Sequence, residues 1–276
     1  MGCNMKRIFL FFIVMGFVSI QFPNTQLSLW QQQAHPPTHK PIEATKEVVS
    51  CIRPLPHQQP RCAAQEQAIL ASVVRIVLHG EFQKGQHTDF RGSFGHATVV
   101  DGRYLITHNH FSIDLTTLSA TNPQGVTEFS LYNASGQHIL RNVPVGAFQA
   151  TAVNYQTLAL DFGEGYFNNL GIMSAPFKSM EEFTLTAGSE VGQIDWDGQQ
   201  AYVVWTTVTE IVQDHATPHL VLDNYVMPGA SGGGIFWNGY IIANSWADVT
   251  IHNARTGEFL GAFSLAALND FPLPGG

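Results

Sequence analysis

From Gln67 onward the sequence is a succession of short β-type runs cut by turn residues, with few stretches that repeat at helical spacing over three turns. The runs include "ASVVRIVLHGEF", "TLALDFGEG", "EFTLTAG", "AYVVWTTVTEIV", "HLVLDNYVM" and "GEFLGAFSLAAL". In "GHATVVDGRYLITHNH" two runs flank Asp101-Gly102, and in "GIFWNGYIIANSWADV" two flank Asn238-Gly239. Both dipeptides are strong hairpin signals, because Asn, Asp and Gly tolerate the positive φ a tight turn needs. Helix is expected at most over Ala64–Ser72, which competes with the start of the first strand, and in a turn near Leu265–Asn269. Many short strands over some 200 residues point to an all-β sandwich or a pair of barrels.

The 276 residues are 45% apolar and only 12% charged, enough to bury a sizeable core. The formal charge is −8, and no basic block exists beyond Lys6 and Arg7. Nucleic acid is therefore not expected as a partner, since phosphate binding needs clustered Lys and Arg. Lys6 and Arg7 precede the apolar run "IFLFFIVMGFVSI". Thirteen residues rise about 20 Å as a helix, short of the roughly 30 Å hydrocarbon core. Residues 1–24 thus read as a secretion signal, either removed or kept as an anchor, and the body as extracytoplasmic. Any membrane contact is expected only through that segment. Residues 25–65, rich in Pro, Gln and His, read as a linker. Within it Cys51 and Cys62 are candidates for a small disulfide loop in an exported chain. Asn133-Ala134-Ser135 is a sequon, relevant only in a eukaryotic secretory pathway.

"VMPGASGGGIFWNGY" sets Ser231 among four glycines. The string G-A-S-G-G matches the G-x-S-x-G elbow of α/β hydrolases, but that motif needs a helix after the serine. Three consecutive glycines oppose one, at roughly 1 kcal/mol each. The elbow also needs an acid and then a histidine downstream, where His252 is the sole histidine.

The same string resembles the G-x-S-G-G loop of the chymotrypsin-like serine peptidases, in particular the Deg (HtrA-like) and trypsin-like types. The resemblance covers roughly residues 68–270. It implies a double β-barrel of two six-stranded Greek-key barrels, over about 68–165 and 180–270 within a peptidase domain at 66–276. It implies Ser231 as nucleophile and the N–H groups of Gly229 and Ser231 as oxyanion hole. Ala230 replaces the usual Asp or Asn before the serine. "FGHATVVDGRYLITHNHF" resembles the family's histidine hairpin, with Thr107 three residues before His110 as general base. His108 is the rival two positions away. The acid is where the pattern departs: the family's Asp falls on Thr157 in "NYQTLALDFGEG", and Asp161, four residues on along the same strand face, is the candidate instead. The primary specificity position falls on Tyr225, and Asn244, Ser245 and Trp246 match the strand that pairs with substrate.

The implied activity is serine-type endopeptidase on a polypeptide substrate, with no cofactor. The alternative is an inactive homologue that keeps the fold and binds peptide or protein, marked by the imperfect acid. His-x-His with His87 and His96 could also bind metal; no H-E-x-x-H or Cys-pair spacing supports this, and no metal is expected. No "IVGG"-like start lies near Ala71, so activation by a new N-terminal amine is not expected, and the last strand leaves no room for a PDZ-like domain before Gly276.

Overall fold

The computed structural model describes residues 51–52, 61–84, 87–109, 128–144, 147–213 and 216–273. The signal segment and most of the linker lie outside these residues. The linker nonetheless contributes two short strands, β1 (Cys51–Ile52) and β2 (Arg61–Cys62), paired antiparallel with Cys51 opposite Cys62. They lead into α1 (Ala63–Leu70), so this stretch is helix rather than the start of the first strand. The α1 residue Glu66 accepts a hydrogen bond from Trp205 Nε1 at 2.7 Å. Among the described residues no helix is long and apolar enough to cross a membrane.

Two hairpins set the architecture. The strand β3 (Val73–Lys84) pairs along its whole length with β4 (His87–Val100). At Asp101 and Gly102 the chain turns with φ of 55° and 61°, and β5 (Tyr104–His108) runs back along β4. Asn238 and Gly239 repeat the device with φ of 51° and 83° between β13 (Gly234–Trp237) and β14 (Tyr240–His252). Two consecutive positive φ angles make the I′ geometry that matches strand twist, as both dipeptides announced.

Around the first hairpin lie β6 (Glu128–Asn133), β7 (His138–Pro144), β8 (Gln149–Ala152) and β9 (Thr157–Asp161). They form one sheet in the order β7-β6-β3-β4-β5-β9-β8. The second half has β10 (Glu190–Trp196), β11 (Ala201–Val212), β12 (His219–Leu222) and β15 (Phe259–Leu268) beside β13 and β14. These close into a barrel in the order β10-β11-β12-β15-β14-β13. With β8 set aside as an added edge strand, both halves share one Greek-key order. This is the chymotrypsin-like double-barrel arrangement, with one correction. The second barrel is the expected closed six-stranded ring, whereas the first is a seven-stranded sheet, open between β7 and β8 among the described residues. The turn expected near Leu265–Asn269 is mostly strand β15.

Among the described residues three apolar clusters follow from this wrap. One fills the first sheet, around Ile76, Leu105, Leu131, Leu158 and Phe167. One fills the barrel, around Val208, Leu220, Ile235, Ile242 and Ala266. The third, with Val73, Ile106, Ala159, Ile194, Phe236 and Ile241, joins residues of both halves. Single parallel bridges, Val100 to Ala175 and Phe177 to Ile241, lace the connecting chain to each half in turn.

Candidate active site

The glycine-rich turn sits where the halves meet. Ala230 N–H donates to Met227 O at 3.0 Å, closing a turn with Pro228 second and Gly229 third. Gly229 has φ +103°, the value that favours glycine at that place. Gly233 N–H then donates to Ala230 O at 2.9 Å. The Ser231–Gly232 peptide is held from both sides. Its carbonyl accepts from His96 N–H of β4 at 2.8 Å, and its N–H donates to Ser245 O of β14 at 2.8 Å. Gly232 has φ +82°, and a side chain there would run into His96 O and Thr107 Oγ1 and come within 3.0 Å of His108 N. The turn is thereby pressed onto the end of β5. Ser231 itself is half-buried. Among the described residues its hydroxyl has no hydrogen-bond partner, and the N–H groups of Gly229 and Ser231 have no backbone acceptor.

His110 lies outside the described residues. His108, its rival, ends β5 in the interior, 6% exposed, opposite Thr157 of β9. The ladder continues one step further, with Asn109 N–H on Gln156 O at 2.9 Å. Thr157 is fully buried, and its hydroxyl accepts from Asn244 Nδ2 at 2.8 Å. The position where the resemblance wants a carboxylate therefore carries a threonine–asparagine contact.

Asp161 is not brought to His108. In the β5–β9 register it faces Tyr104, four pairs away from His108, a separation of roughly 13 Å at the usual rise per residue. Its two oxygens each accept from Arg103, both at 2.7 Å, and Oδ1 also accepts from Gly163 N–H at 2.9 Å. The Arg103 guanidinium holds the carboxyl below its ordinary range, and Asp161 in turn raises Arg103. Asp161 thus closes a turn and an ion pair at the far end of the ladder, while the histidine it was expected to orient, His110, lies outside the described residues.

The substrate-strand candidates separate as well. Asn244 and Ser245 are fully buried, with both strand edges taken, one by Gly234 and the Gly232–Gly233 pair and the other by Ala267 and Ala266 of β15. Ser245 Oγ points into the barrel and accepts from Gln193 Nε2 at 3.2 Å. Neither residue offers substrate a free edge. Beyond Ser245, among the described residues, no strand pairs with β14 on the β13 side. Trp246 is thus the first candidate there, its ring edge-on to His219 at 5.7 Å between centroids. Tyr225 is exposed in the loop ahead of the serine turn.

Two carboxylates that sequence reasoning missed approach this loop. Asp195 of β10, buried, accepts from Met227 N–H at 2.9 Å and from the Tyr202 hydroxyl at 3.0 Å. Asp248 of β14 faces Val226 N–H at 3.5 Å. Burial pushes the Asp248 carboxyl up to about 6, with the Asp195 charge adding to it. Burial and Asp195 together push the Tyr202 phenol up to about 12. The pattern of alternating strand residues held no sign of these contacts.

His96 is the other residue whose role the sequence hid. It is 1% exposed, and its Nδ1 lies 2.8 Å from Gly229 O. A carbonyl only accepts, so Nδ1 carries the proton. Arg75, its register partner on β3, lies over the Tyr132 and Trp196 rings at 4.3 and 4.8 Å. Burial pushes the imidazole down to about 4, and the Arg75 charge works in the same direction. His96 is therefore a neutral donor at physiological pH. Among the described residues no group of three or more His, Cys, Asp or Glu could hold a metal ion. Cys51 and Cys62 lie opposite one another in β1 and β2, apart from these contacts in the sequence.

No protein-family model matches the sequence, and no curated protein matches it. Among solved structures, one that matches is the active form of the Rv3671c protease from M. tuberculosis, at 15% identity and a TM-score of 0.43, covering 84% of this chain and 89% of that one.

Proposed function

We propose that the protein is a serine endopeptidase in which Ser231 attacks the scissile carbonyl, His110 takes its proton and returns it to the leaving amine, and the N–H groups of Gly229 and Ser231 receive the oxyanion. The observation that carries this reading is the serine turn. The Ala230, Gly232 and Gly233 N–H groups and the Gly229, Ala230 and Ser231 carbonyls are tied within the turn or to the neighbouring strands, and among the described residues the N–H groups of Gly229 and Ser231 are left without acceptors beside an unpartnered hydroxyl. Preorganised donors of this kind are the main electrostatic contribution to acyl transfer. Substrate would pair along β14 from Trp246 toward Asp248, with Tyr225 beside it. The chain works without cofactor on an extracytoplasmic polypeptide.

The second reading, an inactive homologue that binds peptide or protein, is favoured by one observation: Thr157 and Asn244 occupy the place of the acid. Loss of the acid alone lowers the rate by about 10⁴, so labelling chemistry separates the two. The protein is incubated with a fluorophosphonate probe beside Ser231→Ala and His110→Ala. Labelling of the wild type alone supports the peptidase. A folded wild type that never labels overturns it in favour of the binding protein.

A further inference from the structure

We propose that His96 is a positioning residue for the Ser231 turn, clamping it from the opposite half of the molecule through two separate bonds. The inference rests on the peptidase reading and adds a residue outside the triad pattern.

The turn contains successive peptide groups whose directions decide where the donors point. The Gly229–Ala230 peptide is held at both ends, its carbonyl by the His96 ring and its N–H by Met227 O. The Ser231–Gly232 peptide is also held at both ends, its carbonyl by the His96 N–H and its N–H by Ser245 O. Between them lies the Ala230–Ser231 peptide, whose carbonyl accepts from Gly233. With its neighbours tied, this peptide is restrained, and among the described residues its Ser231 N–H has no acceptor. The same bond to Gly229 O fixes the carbonyl side of Gly229, a residue whose conformational freedom would otherwise let the turn flip. One residue of β4 therefore restrains the chain next to each oxyanion donor.

The ring is suited to that task by its surroundings. Trp196 lies against it at 5.9 Å between centroids, and Arg75 stands beside it. Burial and the Arg75 charge keep the imidazole neutral, so its single proton stays on Nδ1 for the Gly229 carbonyl. The backbone bond to Ser231 needs no particular side chain, whereas the bond to Gly229 needs a donor at Nδ1. That difference makes the clamp separable by mutation.

The test compares wild type, His96→Leu and His96→Asn, whose amide nitrogen can stand near the position of Nδ1. The rate of fluorophosphonate labelling and the hydrogen exchange of the Ala230 amide are both measured. The expected result is labelling roughly ten- to a hundredfold slower in H96L, a smaller loss than removing an oxyanion donor outright, with faster Ala230 exchange. H96N recovers both. Should H96L fail to fold, thiazolylalanine at position 96 keeps the ring shape without the Nδ1 proton and takes its place. A folded H96L that labels and exchanges like wild type, or an H96N no better than H96L, overturns the proposal. A wild type that does not label at all brings down the peptidase reading instead. The exchange data then decide alone whether His96 holds the turn.

Discussion

Thr157 and Asn244 meet across the two halves of the molecule, with the threonine hydroxyl accepting the asparagine amide at 2.8 Å and neither residue exposed. Asn244 Oδ1 has no partner among the described residues, so this contact is the one bond its side chain makes. Thr157→Val removes it and leaves the amide buried and unsatisfied. The expected loss is about 1–3 kcal/mol, read by urea unfolding. Thr157→Ser keeps the hydroxyl and should lose clearly less. Equal stability of the valine and serine variants would show that the contact contributes nothing.

Asp161→Asn separates the ion pair from the chemistry. Asp161 binds Arg103 and the Gly163 N–H and stands four ladder pairs from His108. The expected outcome is fluorophosphonate labelling at the wild-type rate with a small drop in thermal stability. A loss of labelling in the thousandfold range, the scale of a missing triad acid, would contradict the placement of Asp161 given above.

Stability should carry two opposing pH slopes. The His96 pKa is lowered from 6.5 to about 4. The folded state therefore binds fewer protons than the unfolded chain in that window. Its contribution is present above pH 6.5 and lost as pH falls toward 4, at most roughly 3 kcal/mol. The Asp248 pKa is raised from 3.8 to about 6, chiefly by burial. Its contribution runs the other way, present below 3.8 and lost as pH rises through 6. In Asp248→Asn only the histidine slope remains, so stability should climb more steeply between pH 4 and 6 than in wild type. Parallel curves in urea titrations across that range would rule this out.

Gly232 and Gly198 offer a controlled pair. Both have positive φ, +82° and +99°. An added Cβ meets nothing within 4 Å at Gly198, but at Gly232 it meets His96 O and Thr107 Oγ1. Alanine at 198 carries only the backbone strain, about 1–3 kcal/mol. Alanine at 232 carries that strain plus a displacement of the serine turn. Calorimetry should show G232A clearly less stable than G198A, and G232A should also label poorly.

Cys51 and Cys62 stand opposite each other in the β1–β2 pair. Facing residues of an antiparallel ladder have Cα atoms about 4.5–5.5 Å apart, inside the range a disulfide spans. Protein refolded in air should give, on non-reducing digestion, a linked peptide joining these two cysteines and two hydrogens lighter than its reduced parts. Recovery of both thiols free would exclude the bond.

Local chemistry was the legible part of this molecule. Asp101-Gly102 and Asn238-Gly239 announced their turns because positive φ at two successive residues admits few side chains. The serine turn was legible for a related reason: Gly229 has a left-handed φ, and Gly232 has one with no room for a side chain. Register was not legible. A period of two puts Thr157 and Asp161 on one strand face, yet only the pairing of β5 with β9 decides that Thr157 meets His108 and Asp161 stands across from Tyr104, beside Arg103. Contacts between halves were hidden for the same reason. His96 reaches Gly229 across 133 residues, and Asp195 reaches Met227 across 32. Nothing in the strand sequences around them marks those partners. Asn244 and Ser245 matched the substrate strand by motif, but both edges of that strand are filled at their positions.

The Ser231–Gly232 peptide spans the joint, with its carbonyl on β4 and its N–H on β14. Mechanically, Ser231 is a rivet through two plates rather than a fitting on either one. A small parting of the halves would shear that rivet while each sheet kept its own ladder. Under mild denaturant or force the molecule should pass through a state with full strand content and a displaced serine, the joint giving way before the fold.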